Sequence, residues 1–128
     1  MILLDTCAVL WLDSDRDTFS ASALTALQRH ADALCVSPVT FMEIGIKLKR
    51  QRLTLPLPFE KWVEKTVDRY AFIGVPVSRD IVVAATGLAD IHRDPFDRII
   101  IATGKVNRIP VVTADRTFTK YKDIKVIW

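Results

Sequence analysis

The chain has 128 residues and a formal net charge of +3, with 50% hydrophobic and 26% charged residues. This is an ordinary globular balance; no apolar run approaches the roughly 18 residues that span a bilayer, and the N-terminus shows no signal-peptide pattern. We therefore expect one globular domain over residues 1–128 that acts in the cytoplasm, away from membranes.

The two cysteines, Cys7 and Cys35, stand far apart in apolar surroundings. We expect them to be small core residues of a protein from a reducing compartment, not parts of a disulfide framework. The positive excess permits a nucleic acid partner without requiring one. The densest positive cluster is KLKRQR at residues 47–52.

Short apolar runs alternate with helical stretches along the whole chain. The predicted strands, in chain order, are MILL (1–4), ALCVS (33–37), IGVPVS (73–78), IPVVTAD (109–115) and IKVIW (124–128). This alternation predicts an α/β fold, in which a mainly parallel central sheet of about five short strands is flanked by helices on both faces.

Small polar residues mark the starts of the predicted helices. After the first strand, AVLWL is predicted to continue as a helical turn and DSDRD (13–17) to form a polar loop. Hydroxyl and carboxylate side chains suit the cap position of a helix because they accept hydrogen bonds from its first free N–H groups. The candidate caps are Ser20, Ser37, and Ser78 or Asp80.

Several acidic residues stand where apolar segments begin or end. Asp5 follows MILL and Asp115 follows VVTA, so two parallel strands would deliver both carboxylates to one edge of the sheet. Glu43 interrupts the apolar face of its helix, and Asp97 begins the most apolar helix, with Asp94 on the same first turn. Taken singly, the aspartates also suit helix caps, and Glu43 suits a solvated helix edge.

The chemistry of carboxylates explains why they would cluster. Neighbouring carboxylates repel each other, which raises their proton affinity and makes an empty cluster costly in stability. A hard divalent cation bound among them turns this repulsion into attraction. Mg²⁺ and Mn²⁺ take oxygen ligands, whereas a zinc site needs clustered His or Cys, and His30 and His92 look isolated. Such a cation stabilises charge on a phosphate and activates water, so the expected substrate is a phosphodiester.

Four segments carry a resemblance to a known family: LLDTCAVLWL, SPVTFMEIGIKLKRQRL, HRDPFDRIIIAT and IPVVTAD. In this order they are similar to the PIN-domain ribonucleases, and most closely to the VapC toxins of bacterial toxin–antitoxin pairs. The resemblance implies a three-layer α/β/α fold and a Mg²⁺- or Mn²⁺-dependent endoribonuclease, the toxin of a VapBC-type module. It also implies an RNA substrate, a VapB-like antitoxin that blocks the site, and a homodimer.

The matching segments imply an acidic metal site made of Asp5, Glu43, Asp97 and Asp115. Asp5 and Asp97 are expected to bind the metal directly. Asp94 is expected to act from outside the ligand set. The hydroxyls of Thr6 and Thr113 are expected to orient a carboxylate or a water molecule, although a threonine in a strand also serves packing alone.

Cations near the acids would hold the phosphates of RNA. The candidates for this role are Lys47, Arg50, Arg93 and Arg98. KLKRQR equally suits a solvated helix end, and Arg98 equally suits a structural ion pair with a neighbouring acid.

One position, Gly104, departs from the family pattern, because related sequences often have alanine there. Glycine inside a helix is expected to weaken it by about 1 kcal/mol relative to alanine.

Two other metal-dependent classes fit the sequence less well. A phosphatase of the haloacid dehalogenase type needs a second aspartate two residues after the first, where this chain has Cys7. A receiver domain needs an acidic pair near the end of its first strand and a lysine after its last strand, and neither is convincing here. The alternative within the family is a degenerate, non-catalytic PIN domain that binds RNA or protein, which the presence of all four acids disfavours.

Overall fold

A computed structural model describes residues 1–128, and its centre is a sheet of five strands paired in parallel. The strands are β1 (Ile2–Leu4), β2 (Leu34–Val36), β3 (Ile73–Gly74), β4 (Val111–Val112) and β5 (Val126–Ile127). Their order across the sheet is β3-β2-β1-β4-β5. All five predicted strands are present, so the predicted α/β fold class is confirmed.

Six α-helices connect and cover the strands. They are α1 (Thr6–Ser14), α2 (Ala21–Arg29), α3 (Pro38–Lys49), α4 (Phe59–Tyr70), α5 (Arg79–Gly87) and α6 (Pro95–Asn107). The predicted caps are confirmed, because Ser20, Ser37 and Ser78 each accept a hydrogen bond from an N–H group in the first turn. None of these helices combines the length and the apolar character that crossing a bilayer would require.

Side chains that alternate along the strands supply the two faces of the sheet. Ile2 and Leu4 of β1 lie in one core with apolar residues of α1, α2, α3 and α4. Leu3, between them, lies in the opposite core with Ile100 and Ile101 of α6. The molecule therefore has the three-layer α/β/α arrangement.

The stretch predicted as a polar loop, residues 13–17, is largely helical, and that prediction is wrong. Helix α1 runs on to Ser14, and residues 16–18 form a short 3₁₀ helix. Two polar side chains of the stretch form hydrogen bonds with residues of the fold. The Asp13 carboxylate accepts a hydrogen bond of 3.1 Å from Nε1 of the buried Trp62, and the Ser14 hydroxyl donates to the Leu10 carbonyl at 2.8 Å.

The strand order reverses beside β1, because β2 lies on one side of it and β4 on the other. In parallel sheets, ligands bind outside the carboxyl ends of the strands at such a reversal point. Asp5 directly follows β1 and Thr113 directly follows β4. The reversal point therefore lies at the strand ends where the sequence places candidate site residues.

Gly104 lies where the last turns of α6 press against β4. A Cβ atom at this position would stand 2.7 Å from the Val111 side chain and 3.0 Å from the Ile109 carbonyl oxygen. Val111 is fully buried and the carbonyl belongs to the backbone, so neither neighbour has room to withdraw. Close packing of helix on strand, rather than helix propensity, explains the glycine in this chain.

We predict that Gly104→Ala lowers the free energy of unfolding by about 1–2 kcal/mol, because overpacking a core outweighs the gain in helix propensity. Urea denaturation measures this change. Gly87→Ala is the matched control, since Gly87 also lies in a helix but a Cβ atom added there would have no neighbour within 4 Å. That control is expected to be neutral or to stabilise the protein by up to about 1 kcal/mol. A Gly104→Ala protein as stable as the unsubstituted chain would contradict the steric explanation.

Candidate active site

Asp5 is held at the end of β1 by two hydrogen bonds. Its Oδ1 accepts from the Ala8 N–H at 2.8 Å, which caps α1, and its Oδ2 accepts from the Thr113 hydroxyl at 2.5 Å. Burial, together with the charges of Glu43 and Asp115, outweighs these two hydrogen bonds and raises the pKa of Asp5 to about 6. The sequence left open whether Asp5 is a helix cap or a candidate metal-site residue, and its position in the structure suits both.

Glu43 points from α3 towards the same strand ends and is not on a solvated helix edge. Its Oε1 accepts a hydrogen bond of 2.7 Å from the Thr6 hydroxyl, and its Oε2 lies 3.2 Å from Nζ of Lys47. Burial lowers the pKa of Lys47, but the Glu43 carboxylate outweighs it, so the lysine pKa lies above its usual value. The Thr6 hydroxyl thus lies where it can orient this carboxylate.

Asp97, in the first turn of α6, is an acid whose charge is poorly compensated. Nε2 of His92 lies 3.1 Å from its Oδ2. Burial, the neighbouring charge of Asp94, and the charges of Glu43 and Asp5 together raise the pKa of Asp97 to about 7, although His92 opposes them.

Asp94 itself forms the N-cap of α6. Its Oδ1 accepts hydrogen bonds from the N–H groups of Phe96 at 2.8 Å and Asp97 at 3.3 Å. Its carboxylate is thus committed to the helix end, and it acts on Asp97 through its charge.

Asp115 follows β4 and has the best compensated charge of the group. Partial burial raises its pKa, but hydrogen bonds from the Thr117 N–H at 2.9 Å and from Nε2 of His92 at 2.9 Å outweigh that effect. The pKa of Asp115 consequently lies below its usual value. Thr113 links this residue to β1, because its hydroxyl oxygen accepts from the Asp115 N–H at 3.0 Å while its hydrogen is donated to Asp5.

His92 is the site residue that sequence reasoning missed, and the description of it as isolated is wrong. One ligand atom each from His92, Asp97 and Asp115 lies within 4.8 Å of the others. The signal was present in the run HRDPFD, where the histidine precedes the acids of α6 in the turn that leads to the strand ends. Sequence spacing alone hid it, because helix α6 and strand β4 separate His92 from its partner Asp115 along the chain.

Cys7 also differs from expectation. It is only half-buried, and burial followed by the nearby charge of Asp5 raises the pKa of its thiol. Cys7 therefore borders the acidic cluster, whereas Cys35 is a buried core residue as expected.

The candidate RNA-binding cations fall into two groups. Arg50 and Arg93 are exposed, and Lys47 is half-buried beside Glu43. Arg98 instead donates hydrogen bonds to the carbonyl groups of residues 85, 88, 89 and 92, which ties the end of α5 to the turn before α6. Its guanidinium is engaged within the fold, which favours a structural role, but one played through backbone carbonyls more than through an ion pair, since the nearest acid, Asp90, is 3.9 Å away and exposed.

The structure thus brings four carboxylates from four segments of the chain to one edge of the sheet. They are Asp5, Glu43, Asp97 and Asp115. Two of the four have pKa values raised to about 6 and about 7, which is the signature of negative charge crowded into a partly dry site. An oxygen-rich cluster of this kind suits a hard divalent cation.

The chain is 28% identical over 124 residues to "Ribonuclease VapC22" of Mycobacterium tuberculosis, and the match covers 94% of this chain and 92% of that protein. Solved structures share its fold. The DNA-bound VapBC of Salmonella typhimurium has a chain with a TM-score of 0.70 and 17% identity, covering 98% of this chain and 97% of that one. A toxin–antitoxin complex from Klebsiella pneumoniae gives a TM-score of 0.65 and 21% identity, covering 97% and 95%.

The family-level match spans nearly the whole chain. Residues 2–124 match the model of the PIN domain, which includes every acid of the cluster. The three-layer fold, the reversal point beside β1 and the four converging carboxylates agree with that match. This chain belongs to the PIN domain family.

Proposed function

We propose that this chain is a Mg²⁺- or Mn²⁺-dependent endoribonuclease, and that residues 1–128 act as a single PIN domain. The observation that carries the proposal is the convergence of four carboxylates at the reversal point of the sheet, where His92 only partly offsets the burial and neighbouring charge that raise the pKa of Asp97. A cluster that served only to cap helices would have no need for Glu43, which caps nothing, to face the same point.

The residues present fit a divalent cation. Asp97 and Asp5 would bind it directly, since their raised pKa values mean that added positive charge relieves both. Glu43 and Asp115 would complete the set, directly or through water. A divalent cation bound here supplies charge stabilisation at a scissile phosphate and lowers the pKa of water.

The remaining side chains prepare the site before any substrate arrives. Thr113 fixes the plane of the Asp5 carboxylate and Thr6 fixes that of Glu43. We propose that Lys47, 3.2 Å from Glu43, holds a phosphate beside the acids, and that the exposed Arg50 and Arg93 extend this grip along the RNA. Asp94 acts from outside the ligand set by capping α6 and so fixing where Asp97 stands.

We further propose that the chain is the toxin of a VapBC-type pair, that it forms a homodimer, and that a VapB-like antitoxin blocks its site. The support is the similarity to a ribonuclease named VapC22 and the shared fold with chains of toxin–antitoxin complexes. The unpaired thiols of Cys7 and Cys35 suit a reducing compartment, and we propose the cytoplasm.

We predict that Asp5→Asn lowers RNA cleavage by at least about 100-fold while the fold is kept, because several kcal/mol of metal-linked stabilisation is lost and asparagine caps a helix as well as aspartate does. Partner-free protein is incubated with a pool of structured and single-stranded RNAs in Mn²⁺ or in EDTA. Asp32→Asn, an exposed aspartate remote from the cluster, is the control and should cleave normally.

Cleavage by Asp5→Asn at the normal rate would refute the assignment of Asp5. Absence of cleavage by folded, metal-loaded protein on every RNA in the pool would instead favour the non-catalytic PIN domain that binds RNA or protein.

We also predict that the metal-free protein loses stability as the pH rises. Asp5 and Asp97 have folded-state pKa values of about 6 and about 7, above the ordinary value of 3.8, so between pH 3.8 and those values the folded state binds more protons than the unfolded chain. The free energy of unfolding should therefore fall by about 2 kcal/mol or more between about pH 5 and pH 8. Urea denaturation in the presence of a chelator measures this.

Asp97→Asn removes one of the two titrating groups and is the matched variant for this experiment. Its unfolding free energy should depend less on pH and should exceed that of the unsubstituted protein at pH 8. Added Mn²⁺ should stabilise the unsubstituted protein more than the variant, because it binds only the folded state. A variant with the same pH dependence as the unsubstituted protein would show that Asp97 carries no crowded charge.

A further inference from the structure

The His92 ring is held rigidly beside the acidic cluster. The backbone N–H of His92 donates to the hydroxyl of Tyr121 at 2.8 Å, and its carbonyl accepts from Arg98 at 2.9 Å. Its ring meets the buried Phe118 ring edge-on, with centroids 5.7 Å apart. The side chain is only 14% exposed. A ring fixed on these sides has little freedom to turn away from the acids.

The neighbours of the two ring nitrogens determine which one carries the hydrogen. The backbone N–H of Asp94 points at Nδ1 from 3.4 Å, and an N–H group can only donate. Oδ2 of Asp115 lies 2.9 Å from Nε2, and a carboxylate accepts. Both contacts are satisfied when Nδ1 is the acceptor and Nε2 carries the hydrogen. In that form Nε2 has no lone pair to offer a metal ion.

Nε2 of His92 lies 3.1 Å from Oδ2 of Asp97 as well as 2.9 Å from Oδ2 of Asp115, and Asp115 is the more exposed of these two acids. The Asp115 side chain is 40% exposed, compared with 12% for Glu43 and 22% for Asp97. Its other oxygen, Oδ1, accepts from the Thr117 N–H in the 3₁₀ helix that follows β4. The Thr117 contact holds only Oδ1, and the donor on Oδ2 fixes how the carboxylate is turned about it, beside Asp97.

We propose that His92 is a positioning residue of the metal site, whose Nε2–H holds the Asp115 carboxylate in place for the ion without binding the ion itself. This inference rests on the proposed function, since it assumes that the four acids bind a divalent cation. Hydrogen-bond donors that orient ligand side chains in this way commonly govern metal affinity. Orienting one carboxylate is therefore the role we assign to the ring.

The test measures Mn²⁺ binding to the full, RNA-free chain by electron paramagnetic resonance, with pulsed detection of ¹⁴N nuclei near the ion. The variants are His92→Leu, which removes the donor, and His92→Gln, whose amide N–H reaches about as far as Nε2. His30→Gln is the control, because that histidine lies by the N-terminus and contacts the Met1 amino group. Thermal unfolding of each metal-free protein checks that the fold is kept.

We expect His92→Leu to bind Mn²⁺ roughly 10–100-fold more weakly and His92→Gln to recover most of that loss. We expect His30→Gln to bind normally. We also expect the unsubstituted protein to show no ¹⁴N coupling of a directly bound imidazole. Recovery by glutamine separates positioning from packing, because leucine and glutamine fill similar volumes but only glutamine donates.

Five results would overturn the inference. Imidazole coupling that disappears in His92→Leu would make His92 a ligand. Tighter binding by His92→Leu would make it a competitor of the ion. Unchanged binding in both variants would leave the ring without a role at the site, and equal losses in both would reduce that role to packing. Absence of Mn²⁺ binding by the unsubstituted protein would refute the proposed metal site as well, so the two failures are distinguishable.

Discussion

Repulsion among carboxylates gathered at one edge of the sheet is the constraint on which the rest of this structure depends. The charge of Asp5 raises the pKa of Asp97, Glu43 raises the pKa of both, and burial is the largest contribution to each shift. Placing these groups together lowers the free energy of unfolding at any pH at which they are ionised. The arrangement makes physical sense when a cation occupies the cluster, which is why we interpret it as a site and not as an accident of helix capping.

The neighbouring residues limit this cost without abolishing it. Asp5 accepts hydrogen bonds from the Thr113 hydroxyl and the Ala8 N–H. Glu43 accepts one from the Thr6 hydroxyl and forms an ion pair with Lys47. Asp97 has the His92 ring 3.1 Å away, yet its pKa stays raised to about 7, so its negative charge is the less well stabilised. Hydroxyl and amide donors leave carboxylate lone pairs free for a cation, whereas a full set of Lys or Arg partners would neutralise the site. The donors therefore fix orientation and leave the charge available.

Capping and site chemistry are not alternatives in this chain. Asp5 caps α1, Asp94 caps α6, and Asp115 caps the 3₁₀ helix after β4, each with one carboxylate oxygen. For Asp5 and Asp115, the second oxygen is turned to Thr113 and to His92. The hydrogen bond that closes a helix end limits how a carboxylate can turn, and the same restriction would suit the divalent cation that we propose.

The sequence by itself determined the five strands, the serine-capped helices and the four acids, because periodicity, caps and strand-end carboxylates are local patterns. It did not determine the partners of His92, the carbonyl contacts of Arg98, or the near contact that requires glycine at residue 104. Each of these depends on which segments meet in space. His92 and Asp115 are far apart in the chain, and only the pairing of β4 with β1 and the packing of α6 beside them bring the two side chains together. Local composition sets what a segment can form, and tertiary structure alone sets what its side chains touch.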